Sequence, residues 1–259
     1  MLFYMRLAYF NFSTYLAYPV EFLSASLRPL FDLGFRLLFW AVIARSAPGT
    51  VNFHHIAAYF LLVAGVGSIT LFEGMRFSQV LSRAVKTGEL NNALIKPVKL
   101  LRYYLASLYG SRGIPTIFGI LFFTFGVIIE PPRSLTNIVL FILMLGIAFS
   151  VSIGINILLG TIALYWTEAS SIKNVVMHLS TVFSGSLIPL NYFPPTLHLL
   201  AVCLPFGAVI FGPVQALSVE SISTLVPFMI SGSIWAIILP IVATRFWQRS
   251  LRRYEAIGI

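Results

Sequence analysis

Apolar residues fill this chain in long blocks, and the polar gaps between them are short. A helix needs about 20 apolar residues to cross a bilayer. Blocks that approach or pass that length cover residues 22–43, 55–75, 113–129, 137–166, 175–188 and 222–244. The pattern predicts an all-α integral membrane protein: one transmembrane domain over residues 1–259 with six transmembrane helices. The longest interruption is 77–102, FSQVLSRAVKTGELNNALIKPVKLLR. Within it Val80, Leu81, Ala84 and Val85 recur at helical spacing, with Ser82, Arg83 and Lys86 on the other face. Gly is favoured just past a helix end, so Thr87-Gly88 closes this helix. Glu89 to Ile95 reads as a second short helix, with Leu90 and Leu94 four apart, and Pro97 stops it. An ordinary basic loop would explain the charges but not the apolar period. The expectation is a protruding knob of two helices with a Gly elbow.

Residues 1–21 precede the first block and carry Phe3, Tyr4, Tyr9, Phe10, Phe12, Tyr15 and Tyr18. Aromatic residues prefer the headgroup zone, so an amphipathic helix lying in the interface is expected. The opening MLFYMRLAYF lacks the basic, apolar and small-residue order of a cleaved signal and reads as retained. Residues 22–76 then hold spans one and two. Arg28, Asp32 and Arg36 recur every four residues in the first, which stacks them on one face. Each costs about 2.5–3.5 kcal/mol at a bilayer centre on insertion scales. Two pairs sharing Asp32 would reduce that, and Pro29 as a first-turn residue would set Arg28 nearer the membrane edge. The ladder reads equally as a polar face towards a translocation path or dimer seam, or as a ladder that only docks this helix. In the second span Gly65 and Gly67 permit close helix approach, and Glu73 can pair with Arg76.

Residues 103–189 hold spans three to five, with a tight outer turn at Glu130-Pro131-Pro132-Arg133, Asn156 inside span four, and a short loop with Glu168 and Lys173 before span five. Pro189 ends span five. Residues 197–217 are free of formal charge, yet Pro205, Gly207, Gly212 and Pro213 break them into short pieces. Orientation decides between a seventh span and a re-entrant hairpin, because Lys and Arg collect on the cytoplasmic side. With a hairpin over 190–221, the inner side holds Arg6, the seven basic residues from Arg76 to Arg112, Lys173, Arg245, Arg249, Arg252 and Arg253, and the outer side only Arg45 and Arg133. A spanning segment would send the last four outside. The hairpin is therefore expected, near the outer mouth and at the bundle centre, since broken helices at membrane depth need protein or a watery cavity around them. Span six covers 222–244, kinked at Pro227 and Pro240. The basic tail 245–259 lies along the anionic inner leaflet, each Lys or Arg contributing about 1 kcal/mol.

Composition agrees: 58% hydrophobic and 10% charged, against about 25% charge in a soluble domain. The net charge of +9 reports orientation and implies no nucleic acid. Cys203 is alone, so neither an intrachain disulfide nor a multi-Cys metal site is possible. No GxxxxGK[ST] loop occurs, and Gly65-Val66-Gly67 lacks a third glycine, so ATP is not bound by those routes. His178 and Ser184-Gly185-Ser186 fall in one block, but the run is GSLIP and not the GxSxG of a nucleophile elbow. His54 and His55 are adjacent and diverge on a helix. No catalytic, cofactor or metal site is expected.

Thr87-Gly88-Glu89-Leu90 with Leu94-Ile95-Lys96-Pro97-Val98, and the run from Ser184 to Leu217, resemble ABC transporter permeases of the type-2 exporter class. The ending Trp247, Arg249, Leu251-Arg252-Arg253-Tyr254-Glu255-Ala256 and Gly258 is similar to the tail of one bacterial branch. The resemblance implies a permease subunit that forms the path as a homodimer or with a sister permease. It implies a multi-pass protein of the inner (plasma) membrane, in contact with lipids, both termini cytoplasmic. Separate ATPase subunits would bind ATP and Mg, so this chain is not itself an enzyme. Arg83, Lys86, Gly88, Glu89 and Leu90 would lie at or near the ATPase contact, and Pro189, Pro205, Gly207 and Pro213 would break the outer hairpin. The alternatives are an ion-coupled secondary transporter, for which Asp32 is the one acid well inside a span and no internal repeat is found, and an intramembrane enzyme using Ser186 and His178. An apolar path suits amphipathic drugs, lipids or peptides; the sequence does not say which.

Overall fold

The apolar blocks and their Gly, Pro and polar breaks yield helices throughout. The computed structural model describes residues 2–46, 52–72, 75–162, 164–165 and 170–253; among these it has twelve α-helices, two 3-10 turns and no strand. The loop with Pro48 and Gly49, residues Glu73 and Glu168, and the tail from Tyr254 lie outside the described residues. The helices are α1 (Leu2–Ala17), α2 (Pro19–Ser46), α3 (Phe53–Ile69), α4 (Phe77–Lys86), α5 (Glu89–Leu94), α6 (Leu100–Ser111), α7 (Gly113–Ile129), α8 (Leu135–Ile162), α9 (Ser170–Phe183), α10 (Pro195–Cys203), α11 (Phe211–Ser218) and α12 (Val226–Arg253).

By length and composition α8 and α12 can cross a membrane, and α6 with α7, bent by 59° at Arg112, counts as a third span if the pair is one unit. At 1.5 Å per residue, the 17 residues of α3 reach about 25 Å, short of the roughly 30 Å hydrocarbon core. The 14 residues of α9 reach less. Both stop earlier than the blocks suggest, at Ile69 and Phe183.

Two tight seams organise the bundle. In the first, α3 lies on α7: a Cβ on Gly65 would stand 2.5 Å from that of Phe123, and one on Gly119 would stand 2.4 Å from that of Ser68. The backbones meet because neither glycine has a side chain. In the second, α12 lies along α8. Pro240 sits inside α12 and cannot donate to the carbonyl of Ala236. Ser150 of α8 donates its hydroxyl to that carbonyl at 2.6 Å, so the helix runs on through the proline. Pro29 is likewise interior to α2, which corrects its expected place at the helix start.

The charge-free stretch is broken, but not at all four expected points. α10 and α11 flank an irregular turn over 204–210 that contains Pro205 and Gly207. Gly212 and Pro213 lie in the first turn of α11. There proline removes an N–H that has no helical partner anyway, so Pro213 begins a helix where a break was expected. Pro189 does close the preceding turn, leading into the 3-10 turn Leu190–Tyr192. Phe206 to Val214 is buried against α3, α8 and α12, whereas Leu199 and Leu200 of α10 are exposed. Backbone groups at and before this segment find partners on distant parts of the chain: Phe211 N donates to Ser184 O at 3.0 Å and Trp235 Nε1 to Cys203 O, at the end of α10, at 2.9 Å. Asn137 of α8 caps the far end of α11 by donating to Ala216 O and Val219 O, beside the Arg133–Glu220 ion pair.

The N-terminal helix forms, but it is not amphipathic. Phe3, Met5, Tyr9 and Phe10 face outwards, while Ala8 and Phe12 pack so closely on Gly110 and Gly113 that neither glycine could carry a Cβ. α1 is thus docked on α6.

Candidate functional site

The two-helix knob is built by its buried side. Phe77, Leu81 and Ala84 of α4 and Leu90 and Ala93 of α5 pack with Leu100, Tyr104 and Leu108 of α6, Ile157 of α8, and Ala243 and Trp247 of α12. Thr87 closes α4, donating both its N–H and its hydroxyl to Arg83 O, at 2.9 and 3.0 Å. Gly88 then takes φ 72°, and Glu89 opens α5. The charges suit the helix dipoles: Arg83 and Lys86 in the last turn of α4, Glu89 in the first turn of α5.

Of the five residues singled out from sequence, Arg83, Lys86 and Glu89 are exposed, Gly88 forms the elbow, and Leu90 is buried. Leu90 therefore anchors α5 and offers no surface for a partner. Leu94 does not share its face, because in so short a helix Ala93 takes the second buried place. The tip is apolar instead: Ile95 is 84% exposed and Leu94 41%. Beside it a groove of about 590 Å³ runs between α1, α4, α5 and α6, lined by Asn11, Arg76, Arg83, Glu89, Lys96 and Tyr103 among others. Lys96 Nζ lies 5.1 Å from the centre of the Tyr103 ring, a cation–π distance. The Tyr4 hydroxyl accepts from Lys99 N at 3.3 Å. Neither Ile95 nor this groove was read as a site from sequence; an Ile beside Lys-Pro in a polar run was the available sign.

The ladder in α2 lines a second cavity, of about 280 Å³. Arg28, Asp32 and Arg36 meet Arg76 before α4, Arg112 at the α6–α7 bend, and His178 of α9. Arg28 Nε lies 3.9 Å from Asp32 Oδ2, both side chains well exposed. Arg36 makes no ion pair with Asp32, so the expected double pairing is single. Lys173 is buried near the start of α9. The hydroxyls on this wall spend their protons on backbone: Ser180 and Thr181 donate to Met177 O, and Ser186 donates to Thr181 O at 3.0 Å. Ser186 and His178 line one cavity but are not hydrogen-bonded as nucleophile and base. α9 ends ahead of Gly185, whose carbonyl accepts from the Tyr59 hydroxyl at 2.7 Å. Arg76 and Ser111 border both cavities.

No group of three or more metal-ligating side chains occurs among the described residues. His55 stands 3.3 Å from Glu130.

Residues 30–258 match the family described as ABC-2 family transporter protein. The chain belongs to this family. No curated protein matches it. The ABC-2 match takes in the knob, the broken hairpin, and Asp32 and Arg36 of the ladder; α1 and Arg28 precede it. An ABC-2 permease is a membrane transport component and not itself an ATPase; the family normally works with an ATPase subunit.

Proposed function

We propose that this ABC-2 permease is the membrane subunit of an ATP-driven exporter, which forms its path as a dimer and is driven through the α4–α5 knob by a separate ATPase that binds ATP and Mg. The observation that carries this is the knob itself. Its inner face is locked into the helices around it, while its tip presents Ile95 and Leu94 beside Arg83, Lys86 and Glu89. Exposed apolar surface rimmed by charge suits a protein contact. A rigid lever is what coupling needs, because displacement is transmitted only by elements with discrete positions.

The topology in this reading has six spans, α2, α3, α6–α7, α8, α9 and α12, with both termini and the knob cytoplasmic and α10–α11 re-entrant from the outer side of the plasma membrane. The one-sided distribution of Lys and Arg supports it. So does the burial of the irregular 204–210 turn, as non-helical backbone at membrane depth requires.

The decisive experiment co-expresses the chain with its ATPase and measures co-purification, ATPase rate and transport for Glu89→Lys and Ile95→Ser. Loss of binding or of coupling, with the permease intact, is expected; two variants that bind and transport normally would overturn the assignment of the knob. For sidedness, with Cys203 replaced by Ser, an impermeant thiol reagent should label Glu220→Cys in intact cells and Ile95→Cys only after the membrane is opened. The reverse pattern inverts the topology.

A further inference from the structure

We propose that Leu71 is the joint between the knob and the membrane bundle, and that Asn156 of α8 is the positioning residue that seats it. Thr70 is the C-cap of α3, and the turn after it has the bonding of a glycine-type helix ending. Leu71 N donates to Ser68 O at 3.4 Å, and Phe72 N to Gly67 O at 3.2 Å. The position that normally takes glycine is held by Leu71, at φ 57°. An L-residue is strained there, and such strain persists only where the surroundings hold it. Leu71 is held from three sides. Its side chain, 6% exposed, lies in one apolar cluster with Phe77, Leu81 and Leu90 of the knob. The next side chain, Phe72, lies in a different cluster, with Val63 and Val66 of α3 and Val151 and Ile155 of α8. The Leu71 carbonyl accepts from Asn156 Nδ2 at 3.4 Å. A push on the knob reaches the end of α3 through Leu71, and Asn156 decides where that end sits.

Asn156 is equipped to hold two arrangements of the turn. It is buried, as is Ser152 one helical turn before it. Asn156 Nδ2 also donates to Ser152 O at 3.0 Å, but Asn156 Oδ1 and Ser152 Oγ have no partner. Open polar atoms in a core are costly, and leucine and alanine would serve at these positions for packing alone. The N–H groups of Leu71 and Phe72, in bonds of 3.4 and 3.2 Å, are the donors at hand. When the turn is pulled they pass to Asn156 Oδ1, and Ser152 Oγ donates to a carbonyl they release. The turn thus has discrete positions, as coupling needs. Phe77 packs so closely on Gly160 of α8 that no Cβ fits between them, which makes this contact the bearing about which α4 turns. The inference deepens the exporter reading, and rests on it only for what moves the knob.

The test uses the full chain in nanodiscs without ATPase, with Cys203→Ser as the parent. Spin labels go on Ile95→Cys at the knob tip and on Ile128→Cys near the end of α7, both exposed, α7 being packed on α3. The parent should give one narrow distance by pulsed electron resonance, and Asn156→Leu a broader or two-peaked distribution. Ser150→Ala, which loosens the α8–α12 seam instead, should lower the melting temperature without broadening. An unchanged distribution in Asn156→Leu, or equal broadening in Ser150→Ala, overturns the joint. Hydrogen exchange of the parent decides the matter should Asn156→Leu not fold. The Leu71 and Phe72 amides should exchange about tenfold faster than that of Thr70, as a locally opening turn requires, since Thr70 N bonds Val66 O at 2.9 Å; equal protection overturns the joint. With the ATPase bound, Asn156→Leu should lower transport per ATP hydrolysed about 2- to 30-fold, the range of coupling effects of such residues, and leave capture of the ATPase unchanged. Equal transport per ATP also overturns it. The distance and exchange measurements need no ATPase, so their failure leaves the exporter reading standing, and failure of an ATPase to co-purify leaves the joint standing.

Discussion

Gly88 gives the sharpest test of how the knob is built. Its φ of 72° is left-handed, and a Cβ placed there would find nothing within 4 Å. Any penalty for Gly88→Ala is therefore a backbone penalty, free of packing. The left-handed region costs an L-residue about 1–2 kcal/mol. Part of this is offset because alanine lowers the entropy of the unfolded chain, worth about 0.4–1 kcal/mol at compatible sites. The net expectation is a loss of about 1 kcal/mol, or about 2–4 °C of melting temperature by the scaling for chains of 150–250 residues. Asn tolerates this conformation better than other non-glycine residues, so Gly88→Asn should melt between wild type and Gly88→Ala. Thermal unfolding of the three proteins in one detergent reads the order directly. In the ATPase complex, Gly88→Ala should also lower transport per ATP hydrolysed, because a strained elbow no longer holds α5 in one place. An alanine variant as stable as wild type, or an asparagine variant less stable than alanine, would refute the assigned elbow geometry.

Other expectations follow from the same contacts. Leu90→Ala should cost about 2–5 kcal/mol, as for a buried leucine, whereas Ile95→Ala should change stability by less than about 0.5 kcal/mol and still weaken ATPase capture; melting and pull-down on the same two proteins separate anchor from contact. Ser150→Ala removes the donor to the Ala236 carbonyl that Pro240 leaves open, and should cost about 1–3 kcal/mol through an unsatisfied acceptor, read by denaturation against Ser150→Thr. Lys173→Met should raise the melting temperature, because it replaces a buried charge by an apolar side chain of similar length; a lower melting temperature would refute this.

What could be read from sequence was whatever a local rule fixes. The α4–α5 elbow was legible because Leu81 and Ala84 repeat at helical period and Thr87-Gly88 is a helix ending whatever surrounds it. The broken stretch was legible because Pro205 and Gly207 disturb any helix. Where a proline's effect depends on its neighbours, the local rule failed. Pro29 reads as a helix start yet lies inside α2, and at Pro240 the carbonyl that the proline leaves open is met by a hydroxyl ninety residues away in the chain, Ser150. Pro213 was expected to break a helix and begins one. The apolar block 175–188 runs up to Pro189, yet Ser184-Gly185, a helix-ending pair in plain view, ends α9 at Phe183. The face of Leu90 was also misjudged, since helical spacing shows which residues share a side but not which side is covered. The basic cavity lay furthest beyond reach. Arg28 and Arg36 share a helix face by spacing, but Arg76 and Arg112 belong to other blocks, and the positive-inside rule gave both a sufficient explanation as markers of orientation. Only the bend at Arg112 and a cavity with α2 and α9 in its walls bring them together. A rule that accounts for a charge by the side of the membrane it is on says nothing about what the charge faces, and here the same arginine, Arg76, borders both the groove beside the knob and the cavity beside α2.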